Sequence, residues 1–313
     1  MRVVLSGSAG FIGGHLAQAL LAQGHEVYGL DNYLSGQPQT TAQLRRWPGF
    51  HFTEADITRE WPAPPGPLDW VLHLASPASP AQYLRWPVET LMAGAQGTQG
   101  GLDLALERGA QFLLASTSEV YGDPLVHPQP ESYRGNVGTT GPRACYNEAK
   151  RYAEALTLTY HRARGLPCRV ARIFNTYGPG MHPDDGRVLT TFVRQALAGQ
   201  PLSVAGDGSQ TRSFQYADDL IEGLLRLMRA DYAEPVNLGS TEEVTVLDLA
   251  RRVLEATGSV AGLQFVPLPT DDPQRRQPDL GLARAVLDWS PRISLAEGLR
   301  RTVESVRTSL ETP

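Results

Sequence analysis

The sequence predicts an α/β fold: a doubly wound parallel sheet followed by a smaller α+β portion. Three observations predict it. Short apolar runs alternate with helical patterns through the first half, as in βαβ units. A Gly-rich turn joins the first run to the first helical pattern. After about Asn175, Gly, Pro and Asp punctuate the chain and the apolar runs shorten.

Taken in order, strands are expected at Arg2–Ser6, Glu26–Leu30, Phe50–Glu54, Asp69–Leu74, Gln111–Ser116 and Cys168–Ile173. Spaced apolar residues predict helices at Phe11–Gln23, Val88–Arg108 and Ala144–Arg164. Six parallel strands interleaved with helices place a ligand crevice at their carboxyl ends. Brief strands follow at Leu202–Ala205, Pro235–Leu238 and Leu263–Val266. Further helices are expected at Arg187–Ala198, Asp218–Ala230, Val246–Thr257 and Leu295–Ser309. The expected division is 1–174 for the first unit, with 214–239 returning to it, and 175–213 plus 240–313 for the second. The Pro-rich stretch from Trp61 to Pro67 is a connector.

Composition narrows the function. A chain of 313 residues, 41% hydrophobic and 19% charged, can bury a substantial core. A net charge of −5 with no basic tract argues against nucleic acid as a partner. No apolar run approaches the roughly 18–20 residues that span a bilayer, so no membrane partner is expected. Met1 leads straight into the first strand, leaving no room for a signal peptide, and a cytoplasmic location is expected. Cys145 and Cys168 fit no metal spacing, and no metal site is expected. Of 28 basic residues a single one, Lys150, is lysine; an arginine-rich coding bias leaves a lysine where a compact, rotatable ammonium is needed.

The turn Gly7-Ser8-Ala9-Gly10-Phe11-Ile12-Gly13 has the Gly-x-x-Gly-x-x-Gly form of a dinucleotide-binding Rossmann sheet. Its glycines let a pyrophosphate approach backbone amides at the positive helix end. Asp31 ends the second strand 18 residues past Gly13, close to the usual ~20. An acid there accepts hydrogen bonds from ribose hydroxyls and repels a 2′-phosphate, so NAD is the expected cofactor. Asp56-Ile57 is placed to meet the adenine, and Leu74-Ala75-Ser76 the middle of the cofactor.

Tyr146 and Lys150, four apart on a predicted helix, fall on one face. A free tyrosine has a pKa near ~10, and a neighbouring ammonium together with a cationic nicotinamide favours its phenolate. Ser116-Thr117-Ser118, at the end of the fifth strand, supplies hydroxyls for a reacting alcohol.

With these residues in place the chain resembles the extended short-chain dehydrogenase/reductases that act on nucleotide sugars, and among them the UDP-glucuronate decarboxylase (UDP-xylose synthase) group. The matching strings are His73–Pro80, Ser116–Pro124, Gly141–Tyr146, Ala171–Pro179, Asp185–Val188, Gly208–Arg212 and Asp271–Pro273. The resemblance implies oxidation at sugar C4 by NAD, loss of CO2 from the 4-keto sugar, and reduction by the retained NADH. It places Thr117, Ser118 and Glu119 beside the sugar, Thr117 on the C4 oxygen and Glu119 positioning the ring or handling a proton. Arg276 would contact substrate and assist protonation, and Asn175 and Arg212 would hold the nucleotide diphosphate. Asn32, Ala115, Thr176, His182 and Arg187 complete the implied cofactor contacts. A homodimer through the second and third predicted helices is also implied. Where relatives carry a basic-Thr-Asn triplet, this chain reads Met92-Ala93-Gly94. A 4-epimerase needs the same Tyr and Lys and stays open. A 4,6-dehydratase needs an Asp-Glu pair after the Thr, where this chain has Ser118-Glu119. An NAD-binding sensor on the same fold would commonly have lost the Tyr or the Lys.

Overall fold

Apolar runs too short for helices pair into the central sheet of the computed structural model, which describes residues 1–182, 185–268 and 274–311. Strands β1 (Arg2–Ser6), β2 (Glu26–Asp31), β3 (Phe50–Glu54), β4 (Trp70–His73), β5 (Gln111–Thr117) and β6 (Cys168–Ile173) lie within a residue of their predicted positions. All are parallel. The sheet has seven strands rather than six, because Pro235–Leu238 pairs with β6 along Val170–Ile173. That segment is fully buried and falls in the 214–239 stretch expected to return to the first unit.

The spatial order is Pro235–Leu238, β6, β5, β4, β1, β2, β3. The chain winds outward from β1 to β3, then returns to β4 on the other side of β1. The crevice opens where this reversal separates the strand ends. One face of the sheet packs on the helices Phe11–Ala22 and Ala217–Arg229, through Leu16, Leu20, Leu220 and Leu224. The other face packs on Thr98–Arg108 and Ala144–Arg164, through Leu102, Ala105 and Ala153. A separate apolar cluster, including Phe192, Val204, Leu249 and Leu299, builds the carboxyl-terminal portion.

The predicted Val88–Arg108 helix is interrupted. Pro87–Met92 is α-helical, Ala93–Gly97 forms one π turn, and Thr98–Arg108 resumes the α-helix. The wider turn brings Gly94 against the Ala144–Arg164 helix, where an added Cβ would stand 2.6 Å from the Ala149 carbonyl oxygen. Among the described residues, no helix is long and apolar enough to cross a membrane.

Candidate active site

A cleft of about 820 Å³ runs along the carboxyl ends of β1, β2, β4, β5 and β6, and the carboxyl-terminal portion closes its far side. Every predicted site residue lines it. On the β1–β2 side stand Gly7, Gly10, Phe11, Ile12, Gly13, Asp31, Asn32, Asp56 and Ile57. Leu74, Ala75, Ser76, Ala115, Tyr146 and Lys150 form its middle. Thr117, Ser118, Glu119, Asn175, Thr176, His182, Arg187, Arg212 and Arg276 form the opposite end. The Asp271-Asp272-Pro273 string lies outside the described residues.

At the first end, the helix Phe11–Ala22 begins at Gly10 with no side-chain cap and no acidic residue in its first turn. Its first amides therefore face the cleft without a protein acceptor, a ready anion site. A Cβ on Gly13 would fall 1.9 Å from the Gly7 carbonyl oxygen, so the close turn of the strand into the helix needs glycine there. The Asp31 carboxylate accepts hydrogen bonds from the Ala9 and Tyr33 amides at 3.0 and 2.9 Å. Burial raises its pKa, and those amide bonds oppose the rise. Two amides leave carboxylate lone pairs for further donors, so a ribose diol fits.

In the middle, Tyr146 is buried and stacks on Tyr83, ring centroids 5.1 Å apart and 8° from parallel. Burial raises the Tyr146 pKa most; a hydrogen bond with Thr117 and the charge of Arg187 act the other way. The Lys150 ammonium stands 5.9 Å from the Tyr146 ring centroid and donates to the Ala115 carbonyl oxygen at 2.8 Å. Burial pulls the lysine pKa down to about 8, against the nearby charge of Glu154. Ser116 departs from the expectation: its hydroxyl donates to Glu154 at 2.5 Å. Alternation along the strand turns Ser116 from the side that Thr117 serves.

At the other end, Arg276 is only 3% exposed and clamps both oxygens of Glu119, which also accepts from Arg143 at 2.8 Å. Burial of Glu119 raises its pKa, but the two guanidiniums together win and hold it at about 2. Glu119 is thus held as a carboxylate between Arg276 and Arg143. Arg212 is buried and donates to the Thr211 carbonyl oxygen at 2.8 Å. Arg187 donates to the Ala78 carbonyl oxygen at 3.1 Å and stands 3.3 Å from Asp185. The Thr176 hydroxyl is taken up internally, donating to Phe174 and accepting from Gln215.

Two of the cleft side chains without a role assigned from the sequence are Arg143 and Tyr83. Arg143 stands one turn before Tyr146, a spacing that could have flagged it. Tyr83 has a buried hydroxyl with no hydrogen-bond partner among the described residues, and its place under Tyr146 has no signal in the local pattern.

Residues 3–239 match the model of the NAD dependent epimerase/dehydratase family. UDP-glucuronic acid decarboxylase 1 of Arabidopsis thaliana is 47% identical, covering 99% of this chain and 71% of the relative. Its namesake of Danio rerio is 46% identical, over 99% and 73%. Among solved structures, UDP-glucuronic acid 4-epimerase of Bacillus cereus, in complex with UDP-glucuronic acid and NAD, superposes with a TM-score of 0.85. It is 26% identical and covers 99% of this chain and all of the other.

Proposed function

Because the chain belongs to the NAD dependent epimerase/dehydratase family, we propose that it uses NAD to convert UDP-glucuronic acid to UDP-xylose and CO2. The observation that carries this reading is the near-full-length likeness to proteins named for that decarboxylation. NAD supplies a hydride acceptor, and later a hydride donor, for sugar C4. Its pyrophosphate is assigned to the Phe11–Gly13 amides, its ribose hydroxyls to Asp31, and its nicotinamide end to Tyr146 and Lys150.

In this reading Tyr146, aligned by Thr117, takes the C4 hydroxyl proton. The burial that raises the tyrosine opposes this step, and Arg187 and Arg276 offset part of the opposition. The resulting ketone lies β to the C5 carboxylate, so the C–C bond breaks to release CO2 and an enolate. Tyr146 and Thr117 face the developing oxygen charge. Arg276, anchored by Glu119, contacts the sugar and assists protonation at C5. Asn175 and Arg212 take the diphosphate. The division of the chain follows: 1–174 with 214–239 for NAD, 175–213 with 240–313 for the nucleotide sugar. Exposed Val88, Leu91 and Tyr152 on the Pro87–Met92 and Ala144–Arg164 helices support pairing with a second copy.

The test is to mix protein, NAD and UDP-glucuronate and measure CO2 and the sugar formed. UDP-xylose with stoichiometric CO2 is expected. UDP-galacturonate without CO2 would overturn the reading in favour of the 4-epimerase, and tight NAD binding with no turnover would favour a sensor.

A further inference from the structure

Two neighbouring residues at the end of β5 grip two successive turns of the Ala144–Arg164 helix. The Ala115 carbonyl oxygen accepts from the Lys150 ammonium at 2.8 Å. The Ser116 hydroxyl donates to the Glu154 carboxylate at 2.5 Å. Lys150 and Glu154 are four residues apart, one above the other on one helix face. Both are nine-tenths or more buried. From β6, the Arg172 guanidinium holds both Glu154 oxygens, with contacts at 2.7 and 3.0 Å.

From this geometry we infer that Glu154 is a positioning residue: it is the buried counter-ion that holds the Lys150 ammonium beside Tyr146. The groups facing Lys150 leave it alone in that task. From its own helix come Tyr146 and Glu154; from β5 comes the Ala115 carbonyl. From β4 comes His73, which burial and the lysine charge drive down to about 3, so it is neutral. Its ring is spoken for: Nε2 donates to the Ala93 carbonyl oxygen of the π turn, and Nδ1 accepts from Ser6. Among the described residues, Glu154 is the one carboxylate whose charge acts on Lys150, and it acts to keep the ammonium protonated.

The same carboxylate ties the lysine to the sugar end of the cleft. Arg172 also donates to the Tyr121 hydroxyl at 3.0 Å, and that hydroxyl donates to Asn237 at 2.7 Å. Asn237 donates to the Gln129 carbonyl oxygen, and the Gln129 side chain accepts from the Gln277 amide. Gln277 follows Arg276. Each partner is fixed by another, so rigidity is shared between the redox pair and the Glu119–Arg276 clamp.

This inference deepens the proposed reading, since it assumes that Tyr146 and Lys150 are the redox pair, but its test needs no substrate. The chain has a single lysine, so lysine labelled with carbon-13 at Cε gives one side-chain NMR signal, and its pH titration reports Lys150 alone. In the wild type the midpoint is expected near 8. In Glu154→Gln it should fall by about one unit or more, because the opposite charge that raises it is lost. Glu154→Gln strands Arg172, so the double variant Glu154→Gln/Arg172→Gln keeps the question answerable if the single variant fails to fold. It should show the same downward move. An unmoved or raised midpoint in a folded variant overturns the inference. Failure of the decarboxylation assay with a shifted midpoint would sink the substrate reading and leave Glu154 in its role.

Discussion

Replacing Gly94 by alanine separates helix propensity from packing, because the two predict opposite signs. In an exposed helix the change would gain roughly 0.5–1 kcal/mol, since glycine loses more backbone entropy than alanine. Here the new methyl would stand 2.6 Å from the Ala149 carbonyl oxygen, 2.7 Å from its Cβ and 2.9 Å from its carbonyl carbon. Two of those three atoms are backbone of a second helix and cannot rotate away. Overpacking of this kind costs about 1–3 kcal/mol, so the net expectation is a loss of around 1 kcal/mol. Thermal unfolding should show the melting temperature falling by about 1–2 °C for a chain of 313 residues. Ala149 immediately precedes Lys150, so turnover should fall more than stability does. Gly138→Ala is the control: its Cβ would meet nothing within 4 Å, and it should be neutral or slightly stabilising. A melting temperature unchanged or raised in Gly94→Ala would refute the packing argument and make the π turn incidental.

Two further predictions concern the cleft. Tyr146→Phe keeps the ring that stacks on Tyr83 and removes the hydroxyl, so NAD should still bind, measured by calorimetry, while turnover drops by at least ~100-fold, the low end of general acid–base contributions. Glu119 makes stability acid-sensitive: its folded pKa of about 2 lies below the unfolded value near ~4.3. Its contribution is therefore complete above about pH 4.3 and is lost as pH falls toward 2. Across that window the melting temperature of Glu119→Gln should decline less steeply than that of the wild type; equal slopes would contradict the assignment.

What the sequence made legible follows from how local each signal was. The strand Arg2–Ser6 was readable to the residue because burial on both faces demands the apolar run Val3-Val4-Leu5. The short helices Pro38–Leu44, Pro80–Arg85 and Gly281–Leu287 carry two turns at most, too few for a period to register. The π turn was hidden for the opposite reason: apolar spacing continues through it, and the extra residue per turn is visible only in the backbone. Tyr146, Lys150, Asp31 and the Gly7–Gly13 turn were found because their chemistry fixes their spacing. The Glu154–Arg172–Tyr121–Asn237 network was not, because its members lie far apart in sequence and their pairing is a property of the closed sheet. Charged residues on a predicted helix are read as solvated by default, and Glu154, like Lys150 one turn before it, is an exception that burial makes.

The Met92-Ala93-Gly94 departure gives that exception its weight. Where the resembling proteins carry a basic residue and a threonine, this cleft is lined by a thioether and a methyl, neither of which donates a hydrogen bond. In the proposed reading, the donors left for the nicotinamide ribose are the Lys150 ammonium and the Tyr146 hydroxyl. A site short of donors depends more on the ones it keeps. Lys150 pays for its burial with a lowered pKa, and a lysine that lost its proton would offer the cofactor fewer donors and no charge. The lone lysine is therefore informative less for its rarity than for its surroundings: Ala115 fixes its direction, Glu154 its charge, and Gly94 the closeness of the wall behind it.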